Sequence, residues 1–311
     1  MSSNLNRNGL IELYRFIFAI NVIKSHGMFP YEGQYFGTGK LSVEFFFVLS
    51  GYLLTRSIDK YRDLPLLSGT WKFLLSKLRP IALPLIVALP FNIIYELADW
   101  DGSFNIWGYL WYVRVMLEVF VLYFVIRRIL KDERWFIAIV ATVFFIASIL
   151  HVIPRFYAHG MIRGTSAISL GMLLSYVPRP KIKKKCILWL ALIPVQAACL
   201  GIIMLDCNLI VEETLDLILY PALIYLSFAL PVHNRVMNYL GALSFGLYAF
   251  QCVPRALREL GLITNIWVIF GIIVALSLAE DLIKRIYKLR KQRGENSELH
   301  TKEDTHASEA S

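Results

Sequence analysis

The sequence predicts an all-α membrane protein of about ten transmembrane helices, with both termini in the cytoplasm. Three observations predict it: few charges, apolar runs of span length along the whole chain, and basic residues gathered in alternate connectors. Of 311 residues, 57% are hydrophobic and only 18% charged, with a mean hydropathy of +0.56. Soluble domains run about 45–50% apolar and about 25% charged. A bilayer span needs roughly 20 apolar residues, so ten of them take up most of the chain. Too little remains for a separate catalytic domain. Any chemistry is therefore expected within or beside the membrane, in a domain of residues 1–285, followed by a polar tail over 286–311 that is expected to be disordered.

Ten segments fit this reading: 10–28, 41–56, 73–97, 106–127, 135–153, 164–177, 187–205, 213–230, 237–256 and 262–283. The N-terminal stretch lacks the apolar core and small-residue cleavage site of a signal peptide, so the first span is expected to remain. The chain has no internal repeat, which weakens a transporter built from duplicated halves. Orientation follows from the connectors. Those on one side, together with the C-terminal flank, hold twenty Lys and Arg, among them Arg127, Arg128 and Lys181. The other side holds five: Lys40, Arg155, Arg163, Arg255 and Arg258. The asymmetry puts the rich side in the cytoplasm. It also accounts for the net charge of +9 without a nucleic-acid surface. The four cysteines show no metal spacing and no C-x-x-C pair, so neither a metal site nor a disulfide is expected.

Ionisable residues inside spans are costly and are functional candidates for that reason. The first span carries Glu12, Arg15, Lys24 and His26. Arg15 and His26 are eleven residues apart, within about 20° of three full turns, so they share one helix face about 16 Å apart along the axis. A snorkelling arginine and an interfacial histidine explain the pair as well as a donor-to-acceptor line does. Glu44 opens the second span in L-S-V-E-F-F-F-V-L-S-G-Y-L-L, one short connector after His26. Gly33, Gly37 and Gly39 allow that connector to fold back. A carboxylate beside an imidazole can orient it and raise its basicity. Gly51, after the phenylalanines, reads as a close-packing position between helices. Arg114 and Glu118 have i, i+4 spacing, so they can pair within one helix or leave Arg114 for substrate. His151, His159, Arg155 and Arg163 read as connector residues.

These segments together resemble the membrane-bound acyltransferase-3 family. Its Arg-x10-His signature falls on Arg15 and His26, and its acidic residue before F-F-V-L-S-G falls on Glu44. The start motif appears as Glu12-Leu13-Tyr14-Arg15, without the family's glycine. Trp111, Tyr112 and Arg114 match the W-[FY]-L element. The family's arginine cluster before a proline is reduced here to Lys72, Lys77 and Arg79 ahead of Pro80. N-Y-L-G-A-L-S-F-G-L-Y-A-F-Q follows the ninth-span motif, with Gln251 where the family usually has histidine.

The resemblance implies an O-acyltransferase of the bacterial inner or plasma membrane. Acyl-CoA, most simply acetyl-CoA, is the donor substrate, with no bound cofactor. The acceptor is a carbohydrate hydroxyl of a surface polysaccharide or of its lipid-linked precursor. It implies that His26 is the general base, Glu44 its charge partner and Arg15 a donor-holding residue. Arg114, Trp111 and Gln251 would contact substrate, and Lys77 and Arg79 the phosphates of coenzyme A. Direct transfer and a transient acyl-histidine both fit. A proton-coupled transporter and an inactive or regulatory relative are the competing readings.

Overall fold

The computed structural model describes residues 8–28, 42–98, 107–130, 132–149, 156–178, 185–204, 209–230 and 232–309. All regular structure among them is helical. In chain order the helices are α1 (Gly9–Ser25), α2 (Ser42–Asp59), α3 (Leu66–Leu78), α4 (Ala82–Ala98), α5 (Trp111–Ile129) and α6 (Arg134–Ile149). Then follow α7 (Phe156–Tyr176), α8 (Lys185–Met204), α9 (Leu209–Ala229), α10 (Arg235–Phe250), α11 (Cys252–Glu259) and α12 (Ile266–Glu309). Each of the ten apolar segments falls on a helix. Three continuous stretches of the described residues are long and apolar enough to cross a membrane: Leu66–Ala98, Arg235–Glu259 and Ile266–Arg290. Shorter apolar helices lie at Arg134–Ala147, Lys185–Cys199 and Leu217–Ala229.

Several boundaries differ from the hydropathy reading, each for a local reason. The third segment starts earlier, at Leu66, and a 3-10 turn over Arg79–Ile81 divides it into α3 and α4. Pro80 has no N–H to give the carbonyl of Ser76, so the regular ladder breaks there. The ninth segment divides at Gln251 for the same reason. Pro254 cannot bond the carbonyl of Phe250, and α10 stops at Phe250. α7 begins at Phe156, ahead of the expected 164, and this brings Arg163 into a helix. The tail set apart by its polarity continues α12 as helix through Glu309. The glycine-rich connector with Gly33, Gly37, Gly39 and Lys40 lies outside the described residues, as do His151 and Arg155.

The core is built by close helix crossings. α2 packs along α7, α1 along α10, and α7 also meets α5 and α6. Gly51 of α2 lies against the backbone of Ile168, and Gly171 of α7 against the carbonyl of Val48. A Cβ at either position would overlap backbone, so these glycines set the α2–α7 distance. On the outside, Trp135, Ile139, Val143 and Ile146 of α6 form an exposed apolar stripe at helical spacing, and Ile187, Leu190 and Ile193 do so on α8. An exposed stripe of this kind suits lipid contact.

Candidate active site

Both ends of α1 are fixed by specific caps. Asn8 is the N-cap: its Oδ1 accepts from the N–H of Leu10 at 3.0 Å. Its Nδ2 donates to the carbonyls of Ser227 (2.6 Å) and Leu230 (2.8 Å), tying the start of α1 to the end of α9. At the other end Gly27 takes a φ of 65°, which only glycine adopts without strain. Its N–H donates to Lys24 O at 2.8 Å and that of Met28 to Ile23 O at 3.2 Å. This pair of bonds is a Schellman motif, and it holds His26 as the C-cap of α1.

Pairwise contacts give the register of the neighbouring helices. Phe18 stacks on Phe45 at 4.4 Å, and Asn21 Nδ2 donates to Ser42 Oγ at 2.6 Å, so α2 runs antiparallel to α1. Gly9 faces Met237 and Glu12 faces Gly241, so α10 runs parallel to α1. Continued into α11, the register sets Arg255 at the level of His26.

Arg15 points into a cavity of about 440 Å³ between α1, α2, α5, α9 and α10. Its Nη1 donates to Glu12 Oε2 at 2.8 Å. Most of the wall is apolar, with Phe46, Leu49, Met116, Phe228 and Phe245 prominent. The other polar wall groups include Ser50, Tyr112, Ser244 and Tyr248. Ser50 Oγ and Tyr112 OH lie 3.4 Å apart, and the Tyr112 and Tyr248 rings meet edge-on at 5.5 Å. These two rings mark the inner end. By the α1–α10 register Tyr248 sits opposite residue 19, about 10 Å along the axis short of His26.

Glu44 is buried and paired with Arg163 of α7. Arg163 Nε donates to Glu44 Oε1 at 2.6 Å, and Nη2 closes on the same oxygen. The α1–α2 register sets Glu44 opposite residue 19 as well, about 10 Å along the axis from the level of His26. The side chain that sequence spacing sets beside the imidazole is thus engaged by an arginine read as a connector residue. The glycines of α7 make this possible: Gly160 lies against the Trp111 ring and Gly164 against Phe47 and Val115. The helix therefore comes close enough for Arg163 to reach across.

The remaining residues divide between packing and exposure. Trp111 opens α5 and packs on Phe47, with ring centroids 6.0 Å apart. Arg114 Nε donates to Glu118 Oε1 at 2.8 Å within α5. Lys77 Nζ donates to Ser57 Oγ at 2.6 Å and lies 5.3 Å and 5.5 Å from the Phe73 and Phe120 ring centres, a cation–π cage. Arg79 is exposed in the 3-10 turn. Gln251 is fully buried at the α10–α11 break. Beyond it, α11 meets α4: Cys252 touches Asn92, and Arg255 Nη2 donates to Tyr95 OH at 3.0 Å while stacking on that ring. Among the described residues no group of His, Cys, Asp and Glu is placed to hold a metal.

An all-helical membrane protein with one arginine in the wall of a largely apolar cavity between its helices is the class that fold and site define. The Acyl_transf_3 family model, described as an acyltransferase domain, matches residues 8–279. The chain belongs to that family. No curated protein and no solved structure matches it.

Proposed function

We propose that the protein is a membrane O-acyltransferase. It moves an acyl group, most simply acetyl, from acyl-CoA to a hydroxyl of a cell-surface polysaccharide or its lipid-linked precursor, in the bacterial inner or plasma membrane. One observation carries the reading: in a chain of an acyltransferase family, Arg15 lines a cavity beside α1, the helix that His26 caps.

In this mechanism the donor enters from the Asn8 end, and Arg15 binds its carbonyl or amide oxygens. Arg79, exposed near that end, contacts the phosphates, and Lys77 joins it only by leaving its aromatic cage. Trp111 supports the wall through Phe47. Arg114 contacts substrate only by exchanging its bond to Glu118. His26 accepts the proton of the acceptor hydroxyl as its oxygen attacks the thioester carbon. The C–S bond then breaks, and the coenzyme A thiolate takes that proton from His26. Glu44, held by Arg163, acts on the imidazole through its charge. Gln251 contacts substrate between the cavity and His26.

The test supplies acetyl-labelled acetyl-CoA to membranes of cells expressing the wild type or His26→Ala, followed by extraction of glycans and lipid-linked sugars. Alkali-labile label in the wild type and a loss of at least 100-fold in the variant are expected. Equal labelling in both removes His26 from the mechanism.

A further inference from the structure

Gln251 is fully buried, and neither its Oε1 nor its Nε2 has a hydrogen-bond partner among the described residues. Such a group is destabilising, and folded interiors rarely keep one. Its position suggests why this one is kept. Ser244 and Tyr248 line the cavity, and Gln251 and Arg255 follow at the next helical steps, i+3 and i+7 from Tyr248. The break at Gln251 keeps helical dihedrals (φ −59°, ψ −23°), so the stripe continues across it. Arg255, one turn further, falls at the level of His26 by the α1–α10 register. By the α1–α10 register Gln251 therefore stands past the inner end of the cavity and about one turn short of His26.

We propose that Gln251 is a catalytic residue, the hydrogen-bond donor that stabilises the oxyanion of acyl transfer. The inference rests on the acyltransferase reading above. As the acceptor oxygen bonds to the thioester carbon, its proton passes to His26 and the carbonyl π electrons move onto oxygen. The Nε2–H of Gln251 donates to that oxygen. When the carbonyl re-forms, the C–S bond breaks and the thiolate leaves with the proton from His26. A neutral amide suits this role, because it is already desolvated and makes its bond when the charge develops. Its Oε1 remains available to a hydroxyl of the acceptor.

The experiment compares wild type, Gln251→Met and Gln251→His in the acetyl-CoA labelling assay on expressing membranes, and melts each purified full-length protein. Met keeps the side chain's length and removes both polar atoms. The expected result for Gln251→Met is a rate at saturating acetyl-CoA lowered by about 100-fold, with half-saturation within twofold and an unchanged or higher Tm. Gln251→His, which retains an N–H donor, keeps its rate within tenfold. A Gln251→Met rate within threefold of an active wild type overturns the inference alone. A lower Tm with a matching loss of acetyl-CoA affinity also overturns it, because Gln251 is then structural. An inactive wild type overturns the acyltransferase reading and this inference together.

Discussion

Two ion pairs in this protein use the same chemical groups and differ in almost everything else. Arg114 and Glu118 pair within α5, with side chains 35% and 42% exposed. Arg163 and Glu44 pair between α7 and α2, at 12% and 5% exposed. The first joins residues one turn apart that the backbone already holds together. The second joins residues 119 positions apart and takes two charges out of solvent. Attraction between opposite charges grows as the local dielectric falls, and so does the penalty for leaving one of them alone. The buried pair therefore acts as a lock between helices, while the exposed pair adds little.

That contrast can be broken or sharpened in four steps. The largest effect is expected for Arg163→Ala, which removes the arginine that pairs with the buried Glu44 carboxylate. Loss of one partner of a buried pair costs about 3–5 kcal/mol, read as a large drop in Tm of the detergent-purified protein. The double change Glu44→Leu with Arg163→Leu is expected to cost less than the single one, because both buried charges are then removed together. Next comes Gly171→Leu. Its side chain meets the Val48 carbonyl and must push α7 from α2, at about 1–3 kcal/mol or more for overpacking. The Arg163–Glu44 pair should loosen with it, so Arg163→Ala in that background should cost less than in the wild type. Asn8→Ala removes the α1 cap and its two bonds to α9, and a loss of about 1–2 kcal/mol is expected. Smallest is Arg114→Ala, at about 0.2–0.5 kcal/mol for an i, i+4 pair. A Tm for Arg114→Ala as low as that for Arg163→Ala would show that burial does not separate the two pairs.

The same contrast explains what could be read from sequence. Helical periodicity is local, so the Arg114–Glu118 pair follows from spacing alone. Gly51 was legible because glycine inside an apolar run has few uses other than close approach. Arg163 was not legible as a site residue. Its stretch, F-Y-A-H-G-M-I-R, is too polar to register as part of a span, and its partner belongs to a distant helix. Gly160 within this stretch and Gly164 just after it, four residues apart, were the available signal for a tightly packed helix. The division at Gln251 could have been read from Pro254, four residues after Phe250. The lack of a hydrogen-bond partner for Gln251 could not, since it depends on every neighbour that fails to reach it.

The length of α12 has a practical consequence. Its 44 residues extend about 66 Å at 1.5 Å per residue, while the hydrocarbon core of a bilayer is about 30 Å thick. The bond from Lys284 Nζ to the Pro80 carbonyl at 2.9 Å, and the stacking of Arg285 on Tyr239, set its later half at the end of the bundle where α10 begins. That end also holds Asn8, which lines the cavity. A reporter fused after Ser311 would therefore ride on a stiff rod some tens of ångströms from the membrane surface, on the face where the donor is proposed to arrive. It would serve as a built-in ruler for watching that face from outside the bilayer.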